Sequence, residues 1–359
     1  ILLLFFSMTV VSVILDEVGF FQYIAQKVVF SVKSSQRKLF VLLYFLVAFL
    51  TIFTSNDIII LTFTPFICYF CKNSKISPIP YIVAEFVSAN TWSLLLIFGN
   101  PTNIYLATSF GIDFASYFAT MALPTIAGGI VSFGLLMLIF HKQLTTPISE
   151  TNQQLLALNK PVVTIGIIGL SVCTVLLAVS SYIHIEMWLI SLLCALVVLL
   201  ATATTLIIQK NRLTIIVRTA KRLPWTLIPF LLSMFVIVIS LEQINLTHSL
   251  AEFLSRDPTV FAYGFASFLS SNLINNIPMS ILFTSMLQTI PTNYNYIYAS
   301  IVGSNIGAYL TPIGALAGIM WMKILKAKEI DFSFVKFVGY GALISVPTLL
   351  VILTVLQVM

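Results

Sequence analysis

Charged side chains are scarce in this sequence. Asp, Glu, Lys and Arg together make up 8% of the 359 residues, against about 25% in an ordinary soluble domain. Hydrophobic residues make up 59% and gather in long runs, many of which reach the roughly 20 residues that an α-helix needs to cross a bilayer. The composition therefore argues against a soluble globular protein. It predicts a multi-pass protein of the cell membrane, surrounded by the lipid bilayer.

Acidic residues are fewer than basic ones, which leaves a formal net charge of +6. A basic chain can bind nucleic acid, but here the Lys and Arg residues lie in short loops between apolar runs. This placement is typical of the cytoplasmic loops of membrane proteins. We therefore expect no nucleic-acid partner.

Sequence signatures of catalysis are absent. The chain has no phosphate-binding glycine loop, no metal-ligand cluster and no nucleophile elbow, so we expect neither an enzyme nor a bound cofactor. The cysteines lack the spacing of a secreted disulfide framework and are interpreted as free thiols: Cys68, Cys71, Cys173 and Cys194. Energy for transport would come from an ion gradient or from a separate ATPase subunit.

Eight segments have the length and composition of membrane spans. They lie at about 1–15, 81–107, 117–140, 162–180, 187–208, 225–241, 295–322 and 334–357. The first is short, and because residue 1 is an isoleucine within an apolar run, we expect the natural chain to begin earlier.

Two further apolar stretches are divided by polar residues. Residues 39–71 form two arms of about 15 residues around Ser55-Asn56-Asp57, and each arm would reach about 22–24 Å as a helix. Residues 259–288 form arms of about 12–13 residues around Ser271-Asn272 and Asn275-Asn276. Arms too short to cross the bilayer, joined at a polar turn, predict two re-entrant helical hairpins.

Two of the spans are interrupted near their middle. Gly99-Asn100-Pro101 interrupts 81–107, and Thr311-Pro312-Ile313-Gly314 interrupts 295–322. Because proline removes a backbone donor and glycine loosens the chain, both segments are predicted to be broken transmembrane helices.

The hairpins and broken helices occur twice in the same order. Asn272 follows Asn56 by 216 residues, Asn305 follows Asn90 by 215, and Gly314 follows Gly99 by 215. This internal repeat divides a single membrane domain into three parts: a first repeat at 1–140, a linker with two transmembrane helices at 141–222, and a second repeat at 223–359.

The loop charges predict how the two repeats are oriented. The basic loops at 27–38 and 209–222 and the lysines after the second broken helix can all be cytoplasmic only if the first hairpin enters from inside and the second from outside. The predicted fold is therefore all-α, with eight spans, two re-entrant hairpins and two inverted-topology repeats.

Interrupted helices at membrane depth persist only where they line a cavity or are buried in protein, so the tips and breaks predict one polar site in mid-bilayer. Helix N-termini suit an anion or an oxygen-rich neutral solute, and free carbonyls suit a cation such as Na⁺. Any single Asn or Ser could instead serve helix packing. The candidate solute- or ion-binding residues are Ser55, Asn56, Asp57, Asn90, Ser93, Gly99, Asn100, Asn103, Asn272, Asn275, Asn276, Asn305, Thr311 and Gly314.

Two carboxylates lie within the apolar segments. Asp57 is at a hairpin tip and is the first candidate for a group that responds to protons or cations, with a structural cap of the tip as the alternative. Glu85 is the second candidate, with extension towards the membrane surface as the alternative.

Several motifs carry a resemblance to a known family. The run from Ser55-Asn56-Asp57 to Thr64-Pro65, the run 90–104, Asn275-Asn276-Ile277-Pro278 and the run 303–314 resemble the arsenical pump membrane protein family of the ion transporter superfamily. That resemblance implies export of arsenite and antimonite as neutral hydroxides in exchange for protons, in some cases with an accessory ATPase. Asn90 and Asn305 depart from the family pattern, which has acidic residues there, so Asp57 becomes the main candidate proton carrier.

The Gly99-Asn100-Pro101 and Asn103 pattern is also similar to sodium-coupled dicarboxylate and citrate carriers. These carriers imply an elevator movement of hairpins and broken helices against a homodimeric scaffold. We therefore expect a secondary active transporter, with proton-coupled efflux of arsenite or antimonite as the first hypothesis. Sodium- or proton-coupled transport of carboxylates or other anions is the alternative, and a channel is the rival class.

Overall fold

A computed structural model describes residues 2–32, 35–148, 155–256, 258–291 and 293–359. Residues 33–34, which belong to the basic loop 27–38, lie outside the described residues, as do residues 149–154 of the predicted linker and residues 257 and 292. The described residues form seventeen α-helices and no β-strand. The all-helical fold class predicted from the sequence is confirmed.

The helices fall into three groups along the chain. The first group is α1 (Leu2–Glu17), α2 (Phe20–Ser31), α3 (Gln36–Phe53), α4 (Asn56–Asn73), α5 (Ile79–Trp92), α6 (Pro101–Ser109) and α7 (Phe114–Phe140). The linker holds α8 (Lys160–Ala178), α9 (Met187–Ile208) and α10 (Thr214–Arg222). The last group is α11 (Leu227–Gln243), α12 (Leu246–Ser255), α13 (Val260–Ile274), α14 (Asn276–Gln288), α15 (Tyr294–Gly307), α16 (Leu316–Ala327) and α17 (Phe334–Val358).

Six stretches of the described chain are long and apolar enough to cross a membrane. They are α3, α7, α8, α9, the stretch Thr214–Gln243 that includes α10 and α11, and α17. Helices α1 and α2, bent by 54° at their junction, would together make a seventh. These helices indicate a multi-pass membrane protein.

The arms of the first hairpin are longer than predicted. Helices α3 and α4 have 18 residues each, about 27 Å at 1.5 Å per residue, and α3 alone is long enough to be a span. The hydroxyl of Ser35 accepts the backbone N–H of Lys38 and begins α3 at Gln36, before the apolar run. The expectation that both arms are too short to cross was therefore wrong for α3, because polar residues at its start belong to the helix.

Three helices had no counterpart among the predicted segments: α2, α10 and α12. Each mixes apolar residues with Gln, Lys, Arg, His or Glu, so no uninterrupted apolar run marks it. Arg222 at the end of α10 connects the linker to the first group of helices. Its guanidinium donates to Asp16 at 2.6 Å and to Glu17 at 2.8 Å, and Asp16 also accepts from Thr62 on α4 at 2.8 Å.

Both predicted helix breaks are present. Residues between α5 and α6 include a 3₁₀ turn at Ile97–Gly99, and those between α15 and α16 include one at Pro312–Gly314. Gly99 is required by a close approach, since a Cβ atom there would lie 2.3 Å from the backbone oxygen of Ser93. The side chain of Asn100 caps α6 by accepting the backbone N–H of Thr102 at 3.1 Å, and Pro101 occupies the first helical position.

Helices α5 and α15 form the centre of the molecule. Every residue from Pro80 to Thr91 and from Ile297 to Gly307 is buried, so these two helices are enclosed by protein on all sides. The contact between α15 and α13 is close, because a Cβ atom added at Gly303 would lie 2.2 Å from the backbone oxygen of Gly264. The two central helices therefore bring the first and second groups of helices together at their breaks.

Candidate functional site

Asn56 at the tip of the first hairpin is attached to α5 through Asn90. The amide Nδ2 of Asn90 donates to the backbone oxygen of Phe86 at 2.8 Å, and its Oδ1 accepts from Nδ2 of Asn56 at 3.0 Å. Because a carbonyl can only accept, the first bond fixes the orientation of Asn90 and therefore that of Asn56. The Oδ1 atom of Asn56 is left buried without a hydrogen-bond partner.

Asn305 joins the two broken helices. Its Nδ2 donates to the backbone oxygen of Ile301 at 2.9 Å and to Oδ1 of Asn103 at 2.7 Å. Its Oδ1 accepts from Nδ2 of Asn100 at 2.9 Å and lies 3.1 Å from the hydroxyl of Ser93, whose hydrogen is shared with the backbone oxygen of Asn90 at 2.8 Å. One side chain of α15 thus contacts both sides of the first break.

Asn103 on α6 links the two sides of the first break. Its Nδ2 donates to the backbone oxygen of Ser93 at 2.8 Å, which leaves its Oδ1 for Asn305. The hydroxyl of Ser304 adds a further link from α15 to the hydroxyl of Thr102 at 3.2 Å. Asn90, Asn103 and Asn305 are fully buried, and their amide groups bind other side chains of the network and the backbone.

A second cluster of contacts surrounds the second break. Oδ1 of Asn272 accepts from the backbone N–H of Thr311 at 3.0 Å and from its hydroxyl at 2.7 Å, and Nδ2 donates to the backbone oxygen of Gly307 at 3.0 Å. Asn275 donates to the backbone oxygen of Ile313 at 2.9 Å. Gly314 lies against this cluster, since a Cβ atom there would be 2.8 Å from Oδ1 of Asn272.

The structure thus divides the fourteen candidate residues into groups. Six meet in one network at the first break: Asn56, Asn90, Ser93, Asn100, Asn103 and Asn305. Asn272, Asn275, Thr311 and Gly314 meet at the second break, and Gly99 packs against Ser93. Both groups contact α15, through Asn305 and Gly307.

The remaining three candidates lie at the hairpin tips. Within the described residues, the side chains of Ser55, Asp57 and Asn276 make no hydrogen bond or ion pair, and the Ser55 hydroxyl and Oδ1 of Asn276 are buried. A buried acceptor without a donor costs about 1–3 kcal/mol. Both tips are also helix N-termini, where backbone N–H groups point outward. The tips therefore combine unpaired acceptor oxygens with a weak positive field.

Among the described residues, no basic side chain forms an ion pair with these tips. The ion pairs of the described residues involve Arg218, Arg222, His248 and Lys336, and none includes a candidate site residue. A cation, or a neutral solute that donates hydrogen bonds, is the ligand that such a set of groups accepts most readily.

A large groove lies beside the second hairpin tip. Its volume is about 710 Å³, and it separates α11 from Ile274, Asn275 and Ile277 at the tip and from Leu316 on α16. The groove is apolar, and Asn275 is the one hydrogen-bonded amide of the two clusters that lines it, so it provides space next to the polar residues rather than a polar binding cavity.

Sequence reasoning missed Thr102 and Ser304 as members of the site. Both were within quoted motifs, but their mutual contact joins residues 202 positions apart. The only local signal was the Asn-Pro pair before Thr102, which is a pattern for the start of a helix.

Polar helix breaks enclosed by helices of membrane-spanning length define a membrane transporter. The chain belongs to the citrate transporter family, whose sequence model matches residues 1–295. It is a multi-pass membrane protein, and the plasma membrane is the usual site of such transporters.

Curated relatives are similar over nearly the whole chain. An arsenical pump membrane protein of Yersinia enterocolitica is 27% identical over 371 residues, which cover 98% of this chain and 84% of the relative. A protein of the same description from Escherichia coli strain K12 is 26% identical over 373 residues, with the same coverage. A 46 kDa membrane protein of Mycobacterium leprae is 22% identical and covers 96% of this chain and 83% of its own length. The resemblance inferred from the motifs is confirmed.

A solved structure agrees with the fold. The YdaH transporter of Alcanivorax borkumensis matches 99% of this chain and 84% of its own chain, with a TM-score of 0.62 and 15% sequence identity. At this identity the similarity concerns the fold alone.

The network predicts that Asn305 is needed for stability. Asn305→Ala should lower the free energy of unfolding, because Ser93, Asn100 and Asn103 lose a partner and each buried orphan costs about 1–3 kcal/mol. The measurement is the apparent Tm of the purified protein in detergent. Asn73→Ala, at an exposed residue of α4, is the matched control and should leave the Tm unchanged. Equal Tm values for both variants would show that the network contributes nothing.

Proposed function

We propose that the chain is a secondary active transporter that exports a neutral hydroxide of the arsenite or antimonite type in exchange for protons. The observation that carries the proposal is the set of unpaired acceptor oxygens at the two hairpin tips, none of which belongs to an ion pair of the described residues. A neutral metalloid hydroxide presents several O–H donors and needs no fixed positive charge. The similarity to arsenical pump membrane proteins supports the same solute class.

Asp57 is the group proposed to couple the solute to protons. It lies in the first turn of α4, and its carboxylate has no partner within the described residues. An ionised Asp57 accepts an O–H group of the solute strongly, whereas a protonated Asp57 accepts it more weakly, because the acid carries no charge and one of its oxygens has become a donor. Solute and proton therefore compete for the same residue, which is the requirement for exchange rather than co-transport.

The proposed movement is that of an elevator built from two inverted repeats. Helices α1–α7 and α11–α17 contain the same series of elements: a bent pair or short pair of helices, a hairpin, a broken helix and a long final helix. In this proposal the hairpins and broken helices move together against α1 and α11. The groove between α11 and the second hairpin tip leaves room for such a displacement. A homodimeric scaffold and an accessory ATPase belong to the proposal through the family resemblance.

The second candidate function is sodium- or proton-coupled transport of citrate or other carboxylates. The family to which the chain belongs favours it. Oδ1 of Asn56, Oδ1 of Asn276 and the carboxylate of Asp57 are hard oxygen ligands that suit a sodium ion. The N-termini of α4 and α14 would then face the carboxylate.

The solute is tested by thermal-shift measurement on the purified protein. Arsenite or antimonite at about a hundred times its dissociation constant should add about 2.7 kcal/mol to the stability of the folded state and raise the apparent Tm. Citrate, dicarboxylates and sulfate, with and without sodium, are the comparison solutes. A rise in Tm that requires citrate and sodium together would replace the first proposal by the second.

Coupling is tested by Asp57→Asn. Because an amide accepts a hydrogen bond but does not titrate, this variant should retain the solute-induced rise in Tm and lose proton-driven uptake into inverted vesicles. Asp331→Asn, at an exposed carboxylate near the start of α17, is the control and should transport normally. Undiminished proton-driven uptake by Asp57→Asn removes this residue from the mechanism. A shifted sodium dependence would instead favour the second candidate function.

The inverted arrangement is tested by single cysteines at the outer ends of the hairpins. Lys75 and Thr289 are exposed, just beyond α4 and α14. Lys75→Cys should react with an impermeant thiol reagent only from the cytoplasm, and Thr289→Cys only from outside. The natural chain gives the background, since three of its four cysteines are buried. Reaction of both variants from the same side contradicts inversion.

A further inference from the structure

Glu85 is a buried carboxylate that the proposed exchange at Asp57 does not use. It lies on α5 and is 2% exposed. No ion pair of the described residues includes it. Its neighbour across the interface with α4 is Thr64, whose hydroxyl oxygen lies 3.0 Å from both carboxyl oxygens of Glu85.

The hydrogen bonds of Thr64 constrain the protonation state of Glu85. The Thr64 hydroxyl also lies 2.7 Å from the backbone oxygen of Ile60, which can only accept. A hydroxyl has a single hydrogen, and the shorter contact to Ile60 is the usual bond of a helical threonine to its own backbone. The contact with Glu85 is then a hydrogen bond only if Glu85 donates, which requires a neutral carboxylic acid. An ionised carboxylate buried here would have no counter-ion among the described residues, and the indole N–H of the buried Trp321 is the donor left to it, so its cost remains high.

Among the described residues, no basic side chain is both buried and close to Glu85, although the indole of Trp321 on α16 is a further polar neighbour. The titratable and charged groups on the elements around it are Cys68 and Cys71 on α4, Tyr81 on α5, Tyr44 on α3, Tyr309 after α15 and Lys328 after α16. Lys328 is exposed, and Tyr81 donates to Gln36 at 2.8 Å rather than to Glu85.

The position of Glu85 connects it to the first hairpin. It lies five residues before Asn90 on α5, about 7.5 Å along the helix axis, and Asn90 holds the hairpin tip through Asn56. Thr64 is on α4, the second arm of the same hairpin. It is followed by Pro65, which removes one backbone hydrogen bond from α4. The contact between Glu85 and Thr64 therefore joins α4 to α5 beside a weak point of α4.

We infer that Glu85 is a second proton-binding site, separate from the hairpin tip, whose bound proton holds α4 against α5. Loss of the proton to water leaves a carboxylate that must be hydrated, so the two helices separate next to Pro65 and the first hairpin is released. In the proposed orientation this opening faces the cytoplasm. The role in the transport cycle rests on the proposed proton exchange, whereas the binding of a proton by Glu85 does not.

Infrared difference spectroscopy of the purified full chain at neutral pH tests proton binding directly. The spectrum of the wild type minus Glu85→Gln should contain the stretching band of a protonated carboxyl group, and this band should shift in D₂O. The difference between wild type and Glu186→Gln, at an exposed glutamate, should lack it. A difference containing only ionised-carboxylate bands would overturn the inference. A protonated band that fails to shift in D₂O would mark a static structural proton and would also overturn it.

Two further variants separate this inference from the proposed function. Thr64→Val keeps Glu85 but removes its hydrogen-bond partner, so the protonated band should change frequency; an unchanged band contradicts the pairing. Glu85→Gln should keep the wild-type Tm, because glutamine imitates the neutral acid, and should lose most of the proton-driven flux while retaining solute binding. A large fall in Tm would indicate an ionised structural glutamate, and normal flux would exclude a role in opening. Since the infrared band is measured without transport, failure of the proton exchange at Asp57 leaves this result interpretable.

Discussion

Two helix breaks place polar backbone groups where no bulk water is available to compensate them, and buried asparagine side chains supply the missing partners. Each uncompensated group would cost several kcal/mol in such surroundings. Asn103 donates a hydrogen bond to the backbone oxygen of Ser93 at the first break, and Asn272 accepts one from the backbone N–H of Thr311 at the second. The rest of the fold depends on these contacts, because α5 and α15 can be interrupted at the centre only while the amides remain in place.

The same chemistry explains why the breaks and the hairpin tips differ. In the first network, the amides of Asn90, Asn103 and Asn305 each have their orientation fixed by a backbone group and use a remaining donor or acceptor to bind another amide. At the tips, Ser55, Asn56 and Asn276 retain unpaired buried atoms. A site that must bind and release a solute needs open hydrogen-bonding capacity, and a site that must stay assembled needs none. On the proposed function, the tips therefore bind the solute, and the asparagine contacts between the two broken helices hold the tips in position.

The sequence indicated the features that are locally encoded. The breaks at Gly99 and Pro312 could be predicted because glycine and proline act on their own backbone, and the hairpin turns because polar residues interrupt an apolar run. The length of α3 could not, since its first turn begins with polar residues that look like a loop until Ser35 is seen to cap it. Pairings such as Ser304 with Thr102 or Glu85 with Thr64 depend on which helix faces sit together. Tertiary packing decides which helix faces are in contact, and neither residue spacing nor composition predicts it.

The network of asparagine side chains at the first break also affects how protons can move through the protein. Asparagine side chains do not gain or lose protons at physiological pH, so the connected series from Asn56 through Asn90 and Ser93 to Asn305 transmits position but no charge. The centre of the protein is in this respect an insulator between its carboxylates. On the proposed function, protons therefore do not pass between Asp57 and Glu85 through these asparagine amides. An aspartate in place of Asn90 would put an ionisable group between the two and turn the insulator into a relay.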